Sequence, residues 1–171
     1  MATPLASAPL WTLEGLRALE APLIAAAVKD AVPGVRRNAV LLAERHLERA
    51  PALAAALMAG QDDPDATVRF QLLLTLGNLR TSAAASARQA ILARDIADPW
   101  VQIASLTAAT ARDADLLETA ITRLSDEDTP ARRAYFRKVG ALVGARTSAL
   151  GAVLRRLAEP GWRADFPDAA G

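Results

Sequence analysis

Hydrophobic residues recur at helical spacing along most of this chain, and the same arrangement returns every 33 residues. Three segments that begin near Pro33, Ala66 and Pro99 align without gaps. The aligned apolar positions are Val35, Val40 and Ala43 in the first segment, Val68, Leu73 and Leu76 in the second, and Val101, Leu106 and Ala109 in the third. This spacing is typical of amphipathic helices, and its recurrence indicates a repeat architecture.

Each copy opens with residues that favour the start of a helix. Asp98-Pro99 and Thr129-Pro130 place a capping side chain before a proline, whose missing N–H does no harm in the first turn of a helix. Asp65 precedes the second copy, and Thr129 opens a fourth, diverged copy. The sequence therefore predicts a first helix in each of four copies.

A second helix follows each first helix. The pattern places these second helices near residues 51–60, 82–95, 114–124 and 148–158, after an earlier pair near Leu10–Leu19 and Pro22–Lys29. The helix from Val68 to Leu76 is apolar on nearly all sides, so we expect neighbouring helices to cover it on more than one side. These features predict an all-α, right-handed solenoid of about five helical pairs over residues 1–160, with a tail at 161–171.

Composition agrees with stacked helices and excludes several chemistries. Of the 171 residues 52% are apolar but only 4% are aromatic, and the net charge of +1 gives no general attraction to nucleic acid or anionic membranes. The absence of cysteine excludes disulfides, thiol catalysis, thiolate zinc sites and covalent haem attachment. We find no signal-peptide pattern and no apolar stretch long enough to span a membrane, so we expect no membrane insertion.

Two motifs in the repeats resemble the HEAT superfamily. One is the 33-residue helix-pair period, and the other is the Val-Arg at the start of a first helix, at Val35-Arg36 and at Val68-Arg69 after Asp65. The resemblance implies an α-solenoid in which Arg36 and Arg69 bond acidic residues between stacked repeats. Ligand contact is the alternative role for these two arginines, and we favour the structural one.

A narrower resemblance covers residues 9–110. Leu10-Trp-Thr-Leu-Glu-Gly-Leu16, followed by Val35-Arg-Arg-Asn-Ala-Val40 and Asp98-Pro-Trp-Val101, is similar to the HEAT-repeat region of planctomycete-type membrane-bound dehydrogenase and cytochrome c multidomain proteins. The chain has neither propeller strands nor a CxxCH haem site, so no catalytic residue carries over. The resemblance implies the linking segment of a larger redox protein in the periplasm or cell envelope.

Several single residues invite a chemical role that a structural role explains better. His46 is the only histidine, which favours a surface or cap position over general-base catalysis. Asp62, Asp63 and Asp65 lack the glycine and glutamate of a calcium loop and favour a capped turn. Trp11 and Trp100 lie at helix starts and are expected to pack between repeats. Trp162 lies outside the pattern and is the freest of the three tryptophans.

The strongest candidate for partner binding is basic. The segment from Thr129 to the last residue contains eight basic and three acidic residues, which gives it a net charge of +5. Such a patch can hold phosphates. It can also be the polar outer face that a terminal repeat needs, and we favour this second role. The candidate partner-binding residues are Arg132, Arg133, Arg137, Lys138, Arg155, Arg156 and Trp162.

The sequence favours a non-catalytic HEAT-repeat scaffold or interaction module whose partner is a protein. We expect no cofactor and no metal, since no phosphate loop, dinucleotide motif or metalloprotease motif occurs. The runner-up is a nucleic-acid binder that resembles small HEAT-like DNA glycosylases and uses the basic patch. A third hypothesis is a lyase or chaperone for a pigment or cofactor.

Overall fold

The computed structural model describes residues 8–107, 120–122, 124 and 127–145, and the regular elements in these ranges are helices, with no β-strand. The helices are α1 (Ala8–Gly15), α2 (Ala21–Ala27), α3 (Pro33–His46), α4 (Leu53–Met58), α5 (Ala66–Leu76), α6 (Ser82–Arg94), α7 (Pro99–Thr107) and α8 (Pro130–Gly144). Residues 120–122 and 124 are helical as well. The all-α class predicted from the sequence is confirmed.

The repeat pattern located the helix starts closely. The first helices of the four copies are α3, α5, α7 and α8, and the second helices predicted near 51–60 and 82–95 are α4 and α6. Of the helix predicted at 114–124, only residues 120–122 and 124 are described. The helix predicted at 148–158 and the tail at 161–171 lie outside the described residues.

The first helix ends earlier than the apolar pattern predicts. The helix was expected over Leu10–Leu19, but α1 stops at Gly15, and Arg17 adopts a left-handed backbone with a φ of 57°. The N–H of Ala18 donates to the carbonyl of Leu13 and that of Arg17 to the carbonyl of Glu14, which is a Schellman turn. Leu19 is still buried, so the apolar pattern located a core residue but not the helix end.

Capping side chains begin three of the first helices. Asp65 Oδ1 accepts from the N–H groups of Thr67 and Val68 at 2.9 and 3.3 Å, and Asp98 Oδ1 accepts from that of Trp100 at 2.8 Å. Thr129 Oγ1 accepts from the N–H of Arg132 at 3.3 Å. The hydrogen bonds to Asp65, that from the Thr67 hydroxyl above all, hold the pKa of its carboxyl below its usual range.

The chain divides into two compact units, Met1–Ile91 and Leu92–Gly171. In the first unit α3 packs against α1, α2, α4 and α5, and α4 also contacts α2 and α5. As predicted, α5 is covered on several sides: within it only Leu74 and the first two residues are exposed, and Phe70 is half-buried. The valines of the repeat, Val35 and Val68, are both buried.

The second unit contains α7 and α8, which polar bonds join side by side. The Gln102 side-chain amide donates to the carbonyls of Ile96, at 2.7 Å, and of Ala131, at 3.2 Å, and its oxygen accepts from Lys138 Nζ. Ser105 Oγ lies 3.2 Å from the hydroxyl of the fully buried Tyr135. Burial of these polar groups is compatible with folding because each has a hydrogen-bond partner.

A buried arginine joins successive helical pairs in the first unit. Arg36 Nε and Nη2 donate to the two carboxylate oxygens of Asp63 at 2.7 and 2.8 Å, while Nη1 donates to the carbonyls of Asp30 and Ala31. The two side chains are only 11% and 8% exposed. We call this arrangement the arginine clasp, because it ties α3 to the turn that precedes α5.

The carbonyl bonds of the clasp recur at the 33-residue period. Arg69 Nη1 donates to the carbonyls of Asp63 and Pro64, which lie six and five residues before it, as Asp30 and Ala31 lie before Arg36. Asp63 Oδ1 also accepts from the N–H of Asp65, as Asp30 Oδ1 accepts from that of Val32. The structural role expected for Arg36, an ion pair to the next repeat, is therefore present.

The charge of Asp63 gives the clasp a pH dependence. Burial raises the pKa of Asp63, but hydrogen bonds from Arg36 and from the N–H of Asp65 outweigh burial and hold the pKa below its usual range. Because the pKa of Asp63 is lower in the folded than in the unfolded protein, its ionised carboxylate increases the free energy of unfolding. This contribution is complete above the ordinary aspartate pKa and is lost as the pH falls through the pKa of the folded state.

We predict that Asp63→Asn lowers the free energy of unfolding by about 1–3 kcal/mol near neutral pH, because Arg36 loses its buried counter-charge. The difference from the unchanged protein should shrink at acid pH, where Asp63 itself becomes protonated. Urea unfolding followed by circular dichroism at both pH values measures it. Asp62→Asn, at the exposed neighbouring aspartate, is the matched control and should have little effect at either pH. An equal loss in both variants would contradict the clasp.

Candidate interaction surface

The acidic turns that first suggested a metal are structural in this fold. Asp63 pairs with Arg36 and Asp65 caps α5, while Asp62 is exposed beside them. Across the described part of the chain no group of three or more His, Asp or Glu side chains is arranged to hold a metal ion. In the same part no helix is long and apolar enough to cross a membrane.

His46 is the last residue of α3, so it lies at the end of a helix, one of the two positions predicted for it. Its ring is half-buried rather than solvated. Nε2 lies 2.8 Å from Glu14 Oε2, and Arg45 Nη1 lies 3.4 Å from Glu14 Oε1. The hydrogen bond from His46 holds the pKa of the Glu14 carboxyl below its usual range. This cluster ties the end of α1 to the end of α3, where a cation is also favoured by the helix dipole.

A second polar link joins α3 to α5. Glu44 accepts from the buried Thr75 hydroxyl at 3.1 Å and from the Asn78 amide at 2.8 Å. Asn38 and His46 of α3 thus bond residues of α1, while Glu44 bonds Thr75 of α5 and Asn78 just beyond it. These polar side chains of α3 form helix-to-helix links.

Four of the predicted partner-binding residues lie on α8, and three of them have internal partners. Arg132 donates to the carbonyls of Leu124 and Glu127 and pairs with the Glu127 carboxylate, so its side chain bonds the residues that precede α8. Lys138 bonds Gln102. Both side chains therefore stabilise the fold around α8.

Arg133 and Arg137 face outward. Arg133 pairs with Asp128 at 3.0 Å, but both groups are well exposed, at 63% and 72%. Arg137 is exposed and has no ion pair among the residues that the structure describes. The remaining predicted residues, Arg155, Arg156 and Trp162, lie outside the described residues. Of the described candidates, Arg133 and Arg137 are thus the ones a partner can reach.

Trp100 is the residue that sequence reasoning placed wrongly. It was expected to pack between repeats, yet its side chain is 69% exposed, and Ile103, one turn further along α7, is 43% exposed. Trp100 does lie in the first turn of α7, as predicted. Its side chain is nevertheless exposed, whereas Val101, Ala104 and Ser105 of the same helix are buried. The alignment of the copies contained the signal, since Trp100 aligns with Gly34 and Thr67, neither of which is a large apolar residue.

Trp11 differs from Trp100. Its indole Nε1 donates to Asn38 Oδ1 at 2.8 Å, and Asn38 in turn donates to the carbonyl of Gly34. The ring is partly exposed, but the hydrogen bond joins α1 to α3 within the first unit. Trp11 is thus held to α3 by a hydrogen bond while its ring is 38% exposed, so packing of the ring between repeats stays a prediction. Trp11 is not part of the candidate surface.

The candidate surface consists of Trp100 and Ile103 on α7 together with Arg133 and Arg137 on α8, and we call it the α7–α8 face. Residues three or four apart share one side of a helix, so each pair forms a short row. Ser105 and Tyr135 meet in the interior on the opposite side of the two helices. The apolar row of α7 and the cationic row of α8 are each exposed, on the side of the helix away from this contact.

Comparison of the chain with protein-family models, with curated proteins and with solved structures finds no match.

We predict that Trp100→Ala changes the free energy of unfolding by no more than about 0.5 kcal/mol, because an exposed side chain adds little to packing. Tyr135→Ala, which empties a fully buried site on the neighbouring helix, should cost about 3–5 kcal/mol. Chemical unfolding of both variants measures the difference. A comparable loss in the two variants would mean that Trp100 packs against the protein after all.

Proposed function

We propose that this chain is a HEAT-type array of helical pairs, stacked as a right-handed solenoid, that acts as a non-catalytic scaffold or protein-interaction module. The repetition of the arginine-to-carbonyl bonds supports the repeat assignment, since Arg36 and Arg69 bond carbonyls at the same offsets, 33 residues apart. Stacked pairs of this kind bury a continuous core and leave extended surfaces for partners.

The exposure of Trp100 is the observation that carries the binding role. A large aromatic side chain left in water, beside an exposed isoleucine, forgoes the free energy that burial would provide. Tryptophan and arginine are also the residues most enriched where protein interfaces derive their affinity, and the α7–α8 face contains both. A protein partner would bury what the fold leaves exposed.

The titratable groups with shifted pKa values support a structural rather than a catalytic assignment. Glu14, Asp63 and Asp65 bind a neighbouring helix, an arginine or a helix N-terminus. Perturbed carboxyls of this kind mark ion-pair networks as well as active sites, and here each has a structural partner.

The nucleic-acid hypothesis receives less support. Binding to phosphates draws on several free cations along a surface, but Arg132 and Lys138 already bind carbonyls, a carboxylate or an amide within the second unit. The origin of the chain as a linking segment of a larger redox protein stays a prediction from the narrower resemblance. It would leave the α7–α8 face available for docking.

A photo-crosslinking experiment tests the binding role. A benzoyl-phenylalanine at position 103, in place of Ile103, reports on whatever covers the α7–α8 face in source cells, and the same residue at the exposed Ala90 of α6 is the matched control. We expect one dominant protein adduct from position 103 and much less from position 90. Nuclease-sensitive adducts would favour the nucleic-acid alternative. Equal labelling at both positions, or none above the unirradiated sample, would contradict the proposal.

A further inference from the structure

All the exposed residues of α8 lie on one side of that helix. After Pro130 they are Arg133, Arg137, Gly140, Ala141 and Gly144. At about 3.6 residues per turn these five fall within roughly 100° of the helix circumference. The residues that α8 buries lie on the opposite side, and they are Tyr135, Val139 and Val143. We call the five exposed residues the α8 stripe, which is basic in its first half and small in its second.

The two arginines of the α8 stripe add little to the stability of the helix. Arg133 lies in the first turn, where the helix dipole disfavours a cation, and its ion pair with Asp128 is exposed at both ends. Arg137 is exposed and has no ion pair among the described residues. Arg132 and Lys138, in contrast, bond residues of the second unit. An external carboxylate can therefore replace Asp128 and reach Arg137 without breaking a buried contact.

The second half of the stripe carries no large side chain. Gly140 lies inside α8, where glycine is less favourable than alanine, and Gly144 is the last residue of the helix. A Cβ at either position would meet no atom within 4 Å, so packing inside the fold does not require a glycine there. Small residues on an exposed helix side allow the backbone of another chain to approach closely.

We infer that the α8 stripe binds an acidic helix of a partner protein, with carboxylates at Arg133 and Arg137 and close backbone contact at Gly140. The inference rests on the proposed function and names the chemistry of a partner for α8 alone. Two carboxylates four residues apart on a helix match the spacing of the two arginines. Residues that weaken a helix and serve no contact inside the fold are expected where a protein binds something else.

A helical partner matches the stripe better than a nucleic acid does. The stripe contains two arginines, which neutralise two phosphates, whereas binding to a duplex draws on many more such contacts. Gly140, Ala141 and Gly144 add no positive charge, but they leave room for a closely packed helix. A nucleic acid is therefore an outcome that the experiment must be able to detect.

The test titrates the full chain into three labelled probes and follows fluorescence anisotropy. The first probe is an alanine-rich helical peptide of about 18 residues with glutamates four residues apart on one side. The second has lysines in place of the glutamates, and the third is a single-stranded oligonucleotide. We expect the glutamate peptide to bind with a Kd of roughly tens to hundreds of micromolar, as small interfaces do. The other two probes should bind at least about tenfold more weakly.

Two variants separate binding from folding. R133E/R137E should weaken the glutamate peptide by roughly tenfold or more and strengthen the lysine peptide, because the charges are reversed. Gly140→Leu should also weaken the glutamate peptide by roughly tenfold, because leucine fills the space that the partner needs. The same change should leave α8 at least as stable, since leucine favours a helix more than glycine does. The matched controls at exposed positions of the first unit, Arg37→Glu and Ala90→Leu, should change the affinity by less than about twofold.

Four outcomes would overturn the inference: no binding of the glutamate peptide, equal binding of the two peptides, an affinity that R133E/R137E or Gly140→Leu leaves unchanged, and tighter binding of the oligonucleotide than of either peptide. A protein adduct from position 103 without peptide binding would retain the interaction function and reject the acidic helix. Peptide binding that both variants weaken, without an adduct from position 103, would support the acidic helix on α8 and reject binding around Ile103.

Discussion

The bidentate ion pair between Arg36 and Asp63 is the contact on which the order of the helices in the first unit depends. It uses all the polar atoms of the guanidinium on partners in two successive turns, since Nη1 bonds the carbonyls of Asp30 and Ala31 while Nε and Nη2 bond the carboxylate. A buried ion pair adds little net free energy compared with an apolar contact of the same volume, but it strongly disfavours arrangements in which one charge is left alone. Its effect is therefore to select one register of α3 against the turn before α5, and the apolar residues of the repeat supply the stability.

The buried residues of the repeat also determine what the first helices show to solvent. Because one side of α3, α5 and α7 is turned inward at Val35, Val68 and Val101, another side is exposed. On α3 and α5 this exposed side carries Leu41 and Leu74, which are 33 residues apart and only partly exposed. On α7 it carries a tryptophan and an isoleucine, and the exposed side of α8 carries two arginines. Side chains held on packed helices lose little further freedom when a partner binds, which favours recognition by a rigid face. Repetition thus provides a regular framework, and departures from the repeat provide the residues that distinguish one face from another.

The sequence predicted the helices well because their signals are local. Proline at the first position, a capping aspartate or threonine and apolar residues at helical spacing lie within one segment, so α3, α5, α7 and α8 began where expected. The pairing of Arg36 with an acidic residue of the next repeat was expected from the resemblance to the HEAT superfamily. Three features depend on three-dimensional contacts and were missed: the early end of α1 at a left-handed Arg17, the bond between His46 and Glu14, and the use of Arg132 inside the fold. The exposure of Trp100 was missed for a different reason, because a bulky aromatic residue in a repeat was assumed to be buried although the aligned residues of the other copies are Gly34 and Thr67.

A double-mutant cycle on the clasp is the most direct test of this account. The free energy of unfolding is measured for the unchanged protein, for Arg36→Met, for Asp63→Asn and for the two changes together, with the exposed Arg133–Asp128 pair as a reference cycle. If the clasp sets the register, the coupling energy between Arg36 and Asp63 should be at least about 1.5 kcal/mol, and the double variant should be no less stable than Arg36→Met alone. The reference pair should give no more than about 0.5 kcal/mol. A coupling between Arg36 and Asp63 as small as that of the exposed pair would contradict the account and leave the order of the helices to apolar packing alone.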